Sequence, residues 1–531
     1  MPGRPGYARG GLPWLQAAVE ARRAAHPNFL LLDAGDLFQG DWSVNASEGM
    51  GAVAAFELLG VDAAAIGNHE FDYGGTAADG GHPLRGALEA AARRAPFHWL
   101  SANITQVTEG GHEGPWAPEG ISATAIVERA GVRIGLIGLT TVDTPQTTLA
   151  RHVSDLRFRD PVETLRAELP KLRARGAQVV IVLGHLTGSC RTQDFSEPAD
   201  TCFPDGEVGR LLTELPEGSF DVLVAGHAHA LLASRFGKSF VLANRSRGQI
   251  LGGLNLVVGP EGVDLDKSHA LPPWELIHEA MEPGCEGGEH PLAPAELGGQ
   301  VVTPTAEAVA LVEQLEAEAG SLCQEVGCSE LPFLRAYQSE SPLGNLVSDA
   351  LLAAFPGADL AVQNSGGLRA DLPAGLLRRQ DLLAAMPFPN RLLLLEMTGE
   401  AVERMFRLGS SGAHGILQVA GARYHFDPQR TGGTDLDASR AIEPWERDRL
   451  CSVHIGTEPL RPEQRYQVVT SDFLFEGGDH LGLAYADAKV LAEGPLLREA
   501  LVAHVQAQEG CIGPAEQPAA RIRTAPCSTP H

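Results

Sequence analysis

The stretch VDAAAIGNHEFDYG, residues 61–74, decides the fold class of this chain. It starts as a short apolar run that stops at Gly67 and Asn68, where polar, turn-forming residues follow at once. Such runs are typical of strands buried on both faces of a sheet. Five further runs share this character: NFLLLDAGD (28–36), FHWLSANI (97–104), RIGLIGLT (133–140), QVVIVLGH (178–185) and DVLVAGHAH (221–229).

Helix-like stretches lie between several of these runs. In LPWLQAAVEARRAA, residues 12–25, the apolar residues Leu12, Leu15 and Val19 recur at the spacing of one helix face. Strands that alternate with helices predict an α/β fold. In α/β sheets, ligands bind outside the carboxyl ends of the strands, so we expect the functional site where polar residues follow the apolar runs.

Length and charge limit the function. The chain has 531 residues, enough for two or three domains. Its net charge of −26 argues against nucleic acid as the main partner, because proteins that bind nucleic acid usually present a basic face. A small phosphorylated substrate needs only a local positive site. No apolar run approaches the ~20 residues of a membrane helix, so we expect no transmembrane segment.

The eight cysteines are too sparse for a disulfide scaffold, and no CxxC motif occurs. Cys190, Cys202, Cys323 and Cys328 nevertheless stand in polar, loop-like surroundings. This placement favours disulfides and an oxidising compartment. Residues 1–12, MPGRPGYARGGL, contain no apolar signal-peptide core, which conflicts with export.

A composition change divides the chain. Residues 274–305 are rich in Pro, Gly and Glu and predict a loop or linker, and AEAVALVEQLEAEAG (306–320) predicts a helix. A second α/β segment follows. We therefore expect four parts: a domain at 1–275, a linker with a connecting helix at 276–329, a domain at 330–505, and a loosely attached tail at 506–531.

Four short motifs stand at predicted strand ends: GD at 35–36, GNHE at 67–70, GH at 184–185 and GHAH at 226–229. They supply a set of nitrogen and oxygen ligands that suits zinc, manganese or iron, namely Asp36, Asn68, His185, His227 and His229. A pair of such ions can clamp phosphate oxygens during an in-line displacement. Each histidine taken alone is more often a hydrogen-bonded structural residue, but four such motifs in this order are hard to obtain by chance.

With these motifs the chain resembles the 5′-nucleotidase family of calcineurin-like metallophosphoesterases, which includes ecto-5′-nucleotidases and periplasmic UDP-sugar hydrolases. The resemblance covers about residues 6 to 505. It rests on blocks in both halves: LLLDAGDLFQG, AAIGNHEFDYG, VIVLGHLTG and VLVAGHAHA in the first, and ESPLGNLVSDALL, AVQNSGGLRADL, MPFPNRLLLLEMTG and SDFLFEGGDH in the second. It implies a four-layer metallophosphoesterase sandwich followed by a smaller α/β nucleotide-recognition domain.

The resemblance implies a role for each matching residue in the first half. Asp36 would bridge two divalent ions, manganese, zinc or similar. Asn68, His185 and His227 would complete the coordination of one ion, and His229 would coordinate the other. His69 would stabilise charge on the phosphate in the transition state, and Asp72 would orient His69.

In the second half the resemblance implies substrate-binding residues. Asn364 would hydrogen-bond the base, Asp479 the ribose hydroxyls, and Arg369 a phosphate. Phe473 would stack on the base, although spacing alone favours a core aromatic there. For Arg369 the competing interpretation is a surface salt bridge.

The sequence departs from the family pattern at its beginning. The family starts with a strand that ends in Asp-x-His, and no such pair precedes Asp36 here. Two explanations stay open: the recorded start lies downstream of the real one, or the protein is a pseudoenzyme that binds one metal or a nucleotide. Two smaller departures concern specificity: Ile416 stands where a second aromatic often sandwiches the base, and Ser339 and Glu340 stand near the place of an extra phosphate-binding arginine.

The resemblance therefore implies metal-dependent hydrolysis of phosphate esters or anhydrides of nucleotides or nucleotide sugars by a metal-bound hydroxide. The alternatives are a non-catalytic nucleotide- or metal-binding protein, a cyclic-nucleotide phosphodiesterase and a thiosulfate-ester hydrolase on the same scaffold. We expect a periplasmic or extracellular location from the resemblance.

Overall fold

The computed structural model describes residues 7–40, 42–75, 84–188, 206–279, 293–320, 322–513 and 520–527. The chain divides into two compact units. Unit 1 comprises the residues up to Thr144 together with His152–Gly320. Unit 2 comprises Pro145–Arg151 and the residues from 321 onward.

Unit 1 contains two stacked sheets. One has four parallel strands in the order Leu32–Asp33, Ala63–Ala65, His98–Leu100, Ile121–Ser122. The other has six strands in the order Leu232–Phe236, Ser239–Ala243, Val222–His227, Val179–Leu186, Val132–Thr140, Thr124–Arg129. Its four inner strands are parallel and each edge strand is antiparallel.

Helices cover the outer face of each sheet. Leu12–Ala25, Met50–Leu59 and Gly86–Arg94 share one apolar core with the four-stranded sheet. Pro161–Ala174 and Glu207–Glu214 share another with the six-stranded sheet. A third core lies between the sheets. The predicted four-layer α/β sandwich is thus confirmed, and the helix predicted at residues 12–25 is Leu12–Ala25.

Further elements complete unit 1. They are the strands Tyr7–Arg9, Ile104–Val107, Glu113–Pro115, Leu156–Phe158, Ile250–Asn255, Val258–Gly259, Gly262–Val263, His269–Glu275, Ile277–Glu279, Ala295–Leu297 and Gln300–Val302, and the helices Trp42–Ala46, His69–Phe71 and Ala306–Glu318. The short helix Ala150–Val153 contains residues of both units. The prediction of an irregular segment at 274–305 is wrong where these short strands occur. Antiparallel pairing between Ala295–Leu297 and Gln300–Val302, joined by Gly298 and Gly299, gives this Pro- and Gly-rich segment local order.

Unit 2 is built on a mixed five-stranded sheet in the order Leu417–Ala420, Leu360–Asn364, Arg465–Ser471, Arg391–Thr398, Lys489–Leu496. A second, four-stranded sheet follows the order Glu458–Pro459, Leu450–Ile455, Ala422–Phe426, Ile522–Thr524, and Glu325–Ser329 pairs with Gly375–Arg378. Its helices are Pro342–Ala353, Ser365–Gly367, Arg379–Ala385, Gly399–Gly409, Pro444–Glu446, Asp472–Phe475, Gly478–His480, Gly482–Tyr485 and Leu497–Gln506. Apolar cores lie on both faces of the five-stranded sheet.

The residues after 505 are held to unit 2. Ile522–Thr524 pairs in parallel with Ala422–Phe426. Disulfides join Cys328 to Cys511 and Cys451 to Cys527. A loosely attached tail is therefore wrong for the described part of 506–531, because a ladder and two cross-links anchor it.

The structure describes two of the four cysteines that motivated the disulfide prediction. Cys328 and Cys323 are both disulfide-bonded. Cys190 and Cys202 lie outside the described residues. Within the part of the chain that the structure describes, no helix combines the length and the hydropathy needed to span a membrane.

Candidate functional site

Four of the candidate metal ligands stand where parallel strands of unit 1 end. The order is Asp36 after Leu32–Asp33, Asn68 after Ala63–Ala65, His185 in Val179–Leu186 and His227 at the end of Val222–His227. Parallel strands put their carboxyl ends at one edge of a sheet, and the two stacked sheets bring those edges together. The ligand atoms of Asp36, His185 and His227 lie within 4.8 Å of one another.

The ligand atoms of this group lie unusually close to one another. His185 Nδ1 lies 2.7 Å from the carbonyl of Ala34 and donates to it, so Nε2 faces the other ligands. Nε2 lies 3.1 Å from Asn68 Oδ1, 3.1 Å from His227 Nδ1 and 3.1 Å from Asp36 Oδ2. Asn68 Oδ1 is also 3.0 Å from His227 Nδ1. Lone-pair atoms this close repel each other unless a proton or a cation lies among them, so the four side chains fit a divalent cation of the zinc or manganese type.

The backbone around the group supports this close approach. Asp36 and His227 adopt left-handed conformations, with φ of 69° and 74°. Such values are uncommon for residues other than glycine and concentrate at functional sites. A Cβ on Gly67 would lie 2.3 Å from Asp36 Oδ1, so that position requires glycine.

Burial and mutual charge shift the pKa values of the ligand side chains. Burial acts to raise the pKa of Asp36, but the charges of His185 and His69 outweigh it and hold that pKa well below its usual range. Burial acts to lower the pKa of His185, yet the Asp36 carboxylate raises it to about 9. Burial, followed by the charge of His185, lowers the pKa of His227 to about 3. The Asp36 carboxylate thus favours the charged form of His185, and a metal that binds Nε2 would replace that proton.

His229 stands apart from these four residues. Its side chain is exposed, and its φ is 51°. It lies near enough for its charge to contribute to the lowered pKa of His227. Among the described residues, the metal-compatible group in this part of unit 1 does not include it.

His69 and Asp72 form the predicted pair beside the ligand group. His69 Nδ1 lies 2.7 Å from Asp72 Oδ2, and both side chains are mostly buried. The backbone N–H of His69 also donates to Asp36 Oδ1 at 3.0 Å, which ties this histidine to the ligand group. A carboxylate on Nδ1 fixes the ring and its tautomer and supports a charged imidazole.

In unit 2 the structure joins two of the predicted substrate-binding residues. Asn364 ends the strand Leu360–Asn364, and its Nδ2 donates to Asp479 Oδ2 at 2.8 Å. Asp479 has a left-handed φ of 54°. Burial raises the pKa of Asp479, against the opposing charge of His414. Both residues line a pocket with Leu408, Gly409, Ser411, His414, Gly415, Ile416, Leu417 and Leu481.

Phe473 and Arg369 contact residues that stand one or two positions from this pair in the sequence. Phe473 is half-buried and packs against the core of unit 2, and a Cβ on Gly478 would lie 2.4 Å from its Cζ. It therefore serves as a core aromatic and also borders the turn that carries Asp479. Arg369 donates to the carbonyl of Gly366 at 3.3 Å, and its guanidinium lies 5.7 Å from the ring of Phe388.

Two family models match the chain, one in each half. The model of calcineurin-like phosphoesterases matches residues 8–231, and the model of the 5′-nucleotidase C-terminal domain matches residues 324–485. The chain thus combines a calcineurin-like phosphoesterase domain with a 5′-nucleotidase C-terminal domain. Several of its relatives are 5′-nucleotidases, and divalent metals are the general cofactors of calcineurin-like phosphoesterases.

Curated 5′-nucleotidases match along most of the chain. The snake venom 5′-nucleotidase of Naja atra is 27% identical over 92% of this chain and 88% of that protein. The 5′-nucleotidase of Rattus norvegicus is 26% identical over 88% of this chain and 78% of that protein. A cell wall protein of Listeria monocytogenes is 27% identical over 86% of this chain, which spans only 57% of that protein.

Solved structures share the fold. The 5′-nucleotidase precursor of Thermus thermophilus matches with a TM-score of 0.74 at 24% identity, covering 98% of this chain and 94% of that one. The sulfate thiohydrolase SoxB, also from Thermus thermophilus, matches with a TM-score of 0.70 at 19% identity, covering 97% and 83%. The two-domain α/β architecture is therefore that of the 5′-nucleotidase family.

Sequence reasoning missed one residue that supports the candidate metal site, Glu70. Its side chain is completely buried. Its Oε2 accepts from the backbone N–H groups of Gly67 at 2.5 Å and Asp36 at 3.0 Å, and its Oε1 accepts from Phe38 at 3.2 Å and from Leu37. Burial, followed by the charge of Asp36, raises the pKa of Glu70 to about 7, against these donors.

Glu70 thereby holds the loop of Asp36 to the turn of Asn68. The available signal in the sequence was a glutamate inside the apolar surroundings of GNHEF, where an unpaired carboxylate would be costly. Four converging backbone donors explain it, and they can be recognised only in three dimensions.

Proposed function

We propose that this chain hydrolyses phosphate esters or anhydrides of nucleotides with the help of divalent cations. The observation that carries the proposal is the convergence of Asp36, Asn68, His185 and His227, with His69 tied to the same group through Asp36. The match to the 5′-nucleotidase C-terminal domain and the similarity to curated 5′-nucleotidases support nucleotides as the substrate class.

Asp36, Asn68, His185 and His227 would hold one cation. A bound zinc or manganese supplies Lewis acidity and a nucleophile at neutral pH. The side chains fix its position: Ala34 locks the His185 ring, and Glu70 fixes the backbone of Asp36. Two cations remain part of the proposal, with the exposed His229 and Asp36 as this chain's contributions to the other one.

His69 would act on the phosphate itself. Its Nδ1–H donates to Asp72, which favours a charged ring with Nε2–H available as a donor. A cationic donor stabilises the charge that develops on phosphate oxygens in the transition state. In this proposal Asp72 is a positioning residue and His69 a catalytic one.

Unit 2 would recognise the nucleoside. Asn364 and Asp479 offer an amide and a carboxylate in one hydrogen-bonded pair, which suits the polar edge of a base and ribose hydroxyls. Phe473 offers an aromatic ring beside the Asp479 turn, and Arg369 a guanidinium for phosphate.

A substrate panel tests this proposal. The full chain is stripped with a chelator, reloaded with manganese or zinc, and assayed for phosphate release from nucleoside monophosphates, nucleoside diphosphates and a UDP-sugar. A cyclic nucleotide and a thiosulfate ester test the alternative activities. The Asn68→Ala variant is expected to lose release by about 100-fold or more, since truncation of a ligand disrupts the cation site.

The Asp221→Asn variant is the matched control for this panel. Asp221 accepts from Val180 N at 2.7 Å near the start of the strand Val179–Leu186, so the substitution perturbs the strand of His185 at its opposite end. We expect this control to keep its activity. Binding of metal and nucleotide with no release from any substrate would instead support the non-catalytic binding protein.

We also propose that the protein works outside the cytoplasm. Two described disulfides anchor unit 2, and stable disulfides form in oxidising compartments. Relatives include a cell wall protein and a snake venom enzyme. Fractionation of the source cells tests the location: recovery of the disulfide-bonded protein in a reducing cytoplasm would contradict it.

A further inference from the structure

Tyr337 is an exposed aromatic residue that the proposed roles above leave unused. It lies in the loop between Phe333, which pairs with Leu372, and the helix Pro342–Ala353. Its side chain is 49% exposed. An aromatic side chain with this much accessible surface can offer a ring face to a planar ligand.

The backbone of Tyr337 is fixed in place. Its carbonyl accepts from Ile416 N at 3.2 Å. The neighbouring Gln338 donates through Nε2 to the carbonyl of Gly412 at 2.9 Å, and Gln418 Nε2 donates to the carbonyl of Ser339 at 2.9 Å. These bonds join the loop to the segment that lines the Asn364–Asp479 pocket, so the backbone that carries the ring needs little ordering when a ligand binds.

One edge of the Tyr337 ring, at Cε2, lies next to the backbone of two glycines. A Cβ on Gly415 would come within 3.1 Å of Tyr337 Cε2, and a Cβ on Gly366 within 3.7 Å. Gly415 has a φ of 84°, and Gly366 follows Asn364 by two residues. Two glycines therefore make room for the ring beside the turn that carries Asn364.

The phenol lies within electrostatic reach of the other proposed substrate residues. Burial, followed by the charge of Asp479, raises the pKa of Tyr337 to about 12, and Arg369 acts in the opposite direction. Across the described residues, the Tyr337 hydroxyl makes no hydrogen bond. The ring thus lies beside Gly366 and Gly415, its phenol is within electrostatic reach of Asp479 and Arg369, and its hydroxyl stays available.

Two other aromatic side chains of unit 2, one of them next to Asp479 in the sequence, are already stacked on each other. Trp445 and His480 stack on each other, with ring centroids 4.5 Å apart and an interplanar angle of 8°. Ile416, the residue that bonds to Tyr337, is only 2% exposed, so its side chain presents almost no surface to a ligand.

We propose that Tyr337 binds the nucleobase by stacking and favours purines over pyrimidines. This inference rests on the proposed function, because it specifies the substrate of the same site. A flat, pre-positioned ring gains contact area with every base, and the larger purine gains more. Tyr337 is then a specificity-determining residue, and its effect is confined to substrates that carry a base.

Equilibrium binding of nucleosides tests Tyr337 independently of turnover. Adenosine and uridine, which lack phosphate, are titrated into the full chain by calorimetry, for the natural protein and for Tyr337→Ala, Tyr337→Phe and Tyr337→Leu. Leu334→Ala is the matched control, since Leu334 lies in the same loop and is 53% exposed. Thermal melting of each variant checks that it folds, and Tyr337→Leu keeps side-chain bulk if Tyr337→Ala does not fold.

We expect Tyr337→Ala to weaken adenosine binding by about 5- to 100-fold, the range that aromatic stacking of a base supports. Uridine binding should weaken less. Tyr337→Phe should stay within about threefold of the natural protein, because it keeps the ring, and Leu334→Ala should match it. In turnover, Tyr337→Ala should raise the KM for adenosine monophosphate and leave the KM for ribose 5-phosphate unchanged.

The outcomes separate the two proposals. Hydrolysis of nucleotides with adenosine binding unchanged in Tyr337→Ala overturns the role of Tyr337 and leaves the proposed function standing. Adenosine binding that Tyr337→Ala weakens, without any turnover, supports the role of Tyr337 and contradicts hydrolysis. A natural protein that neither binds adenosine nor releases phosphate from nucleotides overturns both.

Discussion

Replacing Glu70 by glutamine removes one of the two carboxylate oxygens that join the Asp36 loop to the Asn68 turn. Each oxygen accepts two backbone N–H groups: Oε2 from Gly67 and Asp36, and Oε1 from Leu37 and Phe38. In either orientation, the amide NH2 of glutamine faces two donors. The variant therefore has about the same volume and lacks half of the acceptors.

The size of the effect follows from burial. Glu70 has no exposed surface, so water cannot replace the lost acceptor. A buried donor left without a partner costs about 1–3 kcal/mol. Two such donors lower the free energy of unfolding of unit 1 by about 2–6 kcal/mol. Because the loop also positions Asp36, metal affinity should fall by about 10- to 100-fold, as for other residues that orient ligands.

Two measurements check Glu70→Gln against a control. Denaturant unfolding gives the loss of stability, and calorimetric titration with manganese gives the affinity. In Asp221→Asn, the matched control, the replaced carboxylate accepts from Val180 N at 2.7 Å and Arg173 Nη2 at 2.9 Å, far along the strand from His185. We expect it to lose stability while keeping its metal affinity. The reasoning is refuted if Glu70→Gln loses less than about 1 kcal/mol, or if its metal affinity falls no more than that of Asp221→Asn.

Three further predictions concern the catalytic histidine, an ion pair and a disulfide. His69→Ala should lower kcat for nucleotide hydrolysis by about 100- to 1,000-fold with the metal still bound. A loss below tenfold, measured as phosphate release, would exclude the proposed catalytic role of His69. Burial acts to raise the pKa of Asp155, but hydrogen bonds from Arg85 and Gln106 outweigh it, so its pKa lies below the ordinary value in the folded state. The ionised Asp155 therefore stabilises the fold above its unfolded pKa, and this stabilisation disappears as the pH falls through its folded pKa. Asp155→Asn should be less stable than the natural protein at pH 7 and nearly equal to it near pH 2. An equal difference in the free energy of unfolding at both pH values, measured in urea, would contradict this. The double variant Cys451→Ser, Cys527→Ser should destabilise unit 2 by about 2–4 kcal/mol, and an unchanged melting temperature under oxidising conditions would show that the cross-link contributes nothing.

The sequence predicted those parts of the fold that depend on local pattern. Continuous apolar runs became buried parallel strands, and His185 and His227 lie at strand ends as expected. Convergence of Asp36 and Asn68 with these histidines follows from parallel strand direction, which the α/β pattern already implies. Asn364 and Asp479 are 115 positions apart in sequence, and only the family resemblance suggested that they act together.

Other features depend on three-dimensional contacts that one sequence does not reveal. His229 is two residues from His227 and shares its left-handed backbone, yet its side chain is exposed. Glu70 is explained by four backbone donors from two loops. The partners of Cys328 and Cys451 lie 183 and 76 residues away, and no spacing rule indicates them.

The central claim is that the cation held by Asp36, Asn68, His185 and His227 drives hydrolysis of nucleotides. Its most direct test is phosphate release from adenosine monophosphate by the full chain, measured after chelation, after manganese is restored, and in His185→Ala at the same manganese concentration. The account predicts background release after chelation, recovery with manganese, and at least a 100-fold loss in His185→Ala. Release that persists after chelation, or that His185→Ala retains, would contradict it.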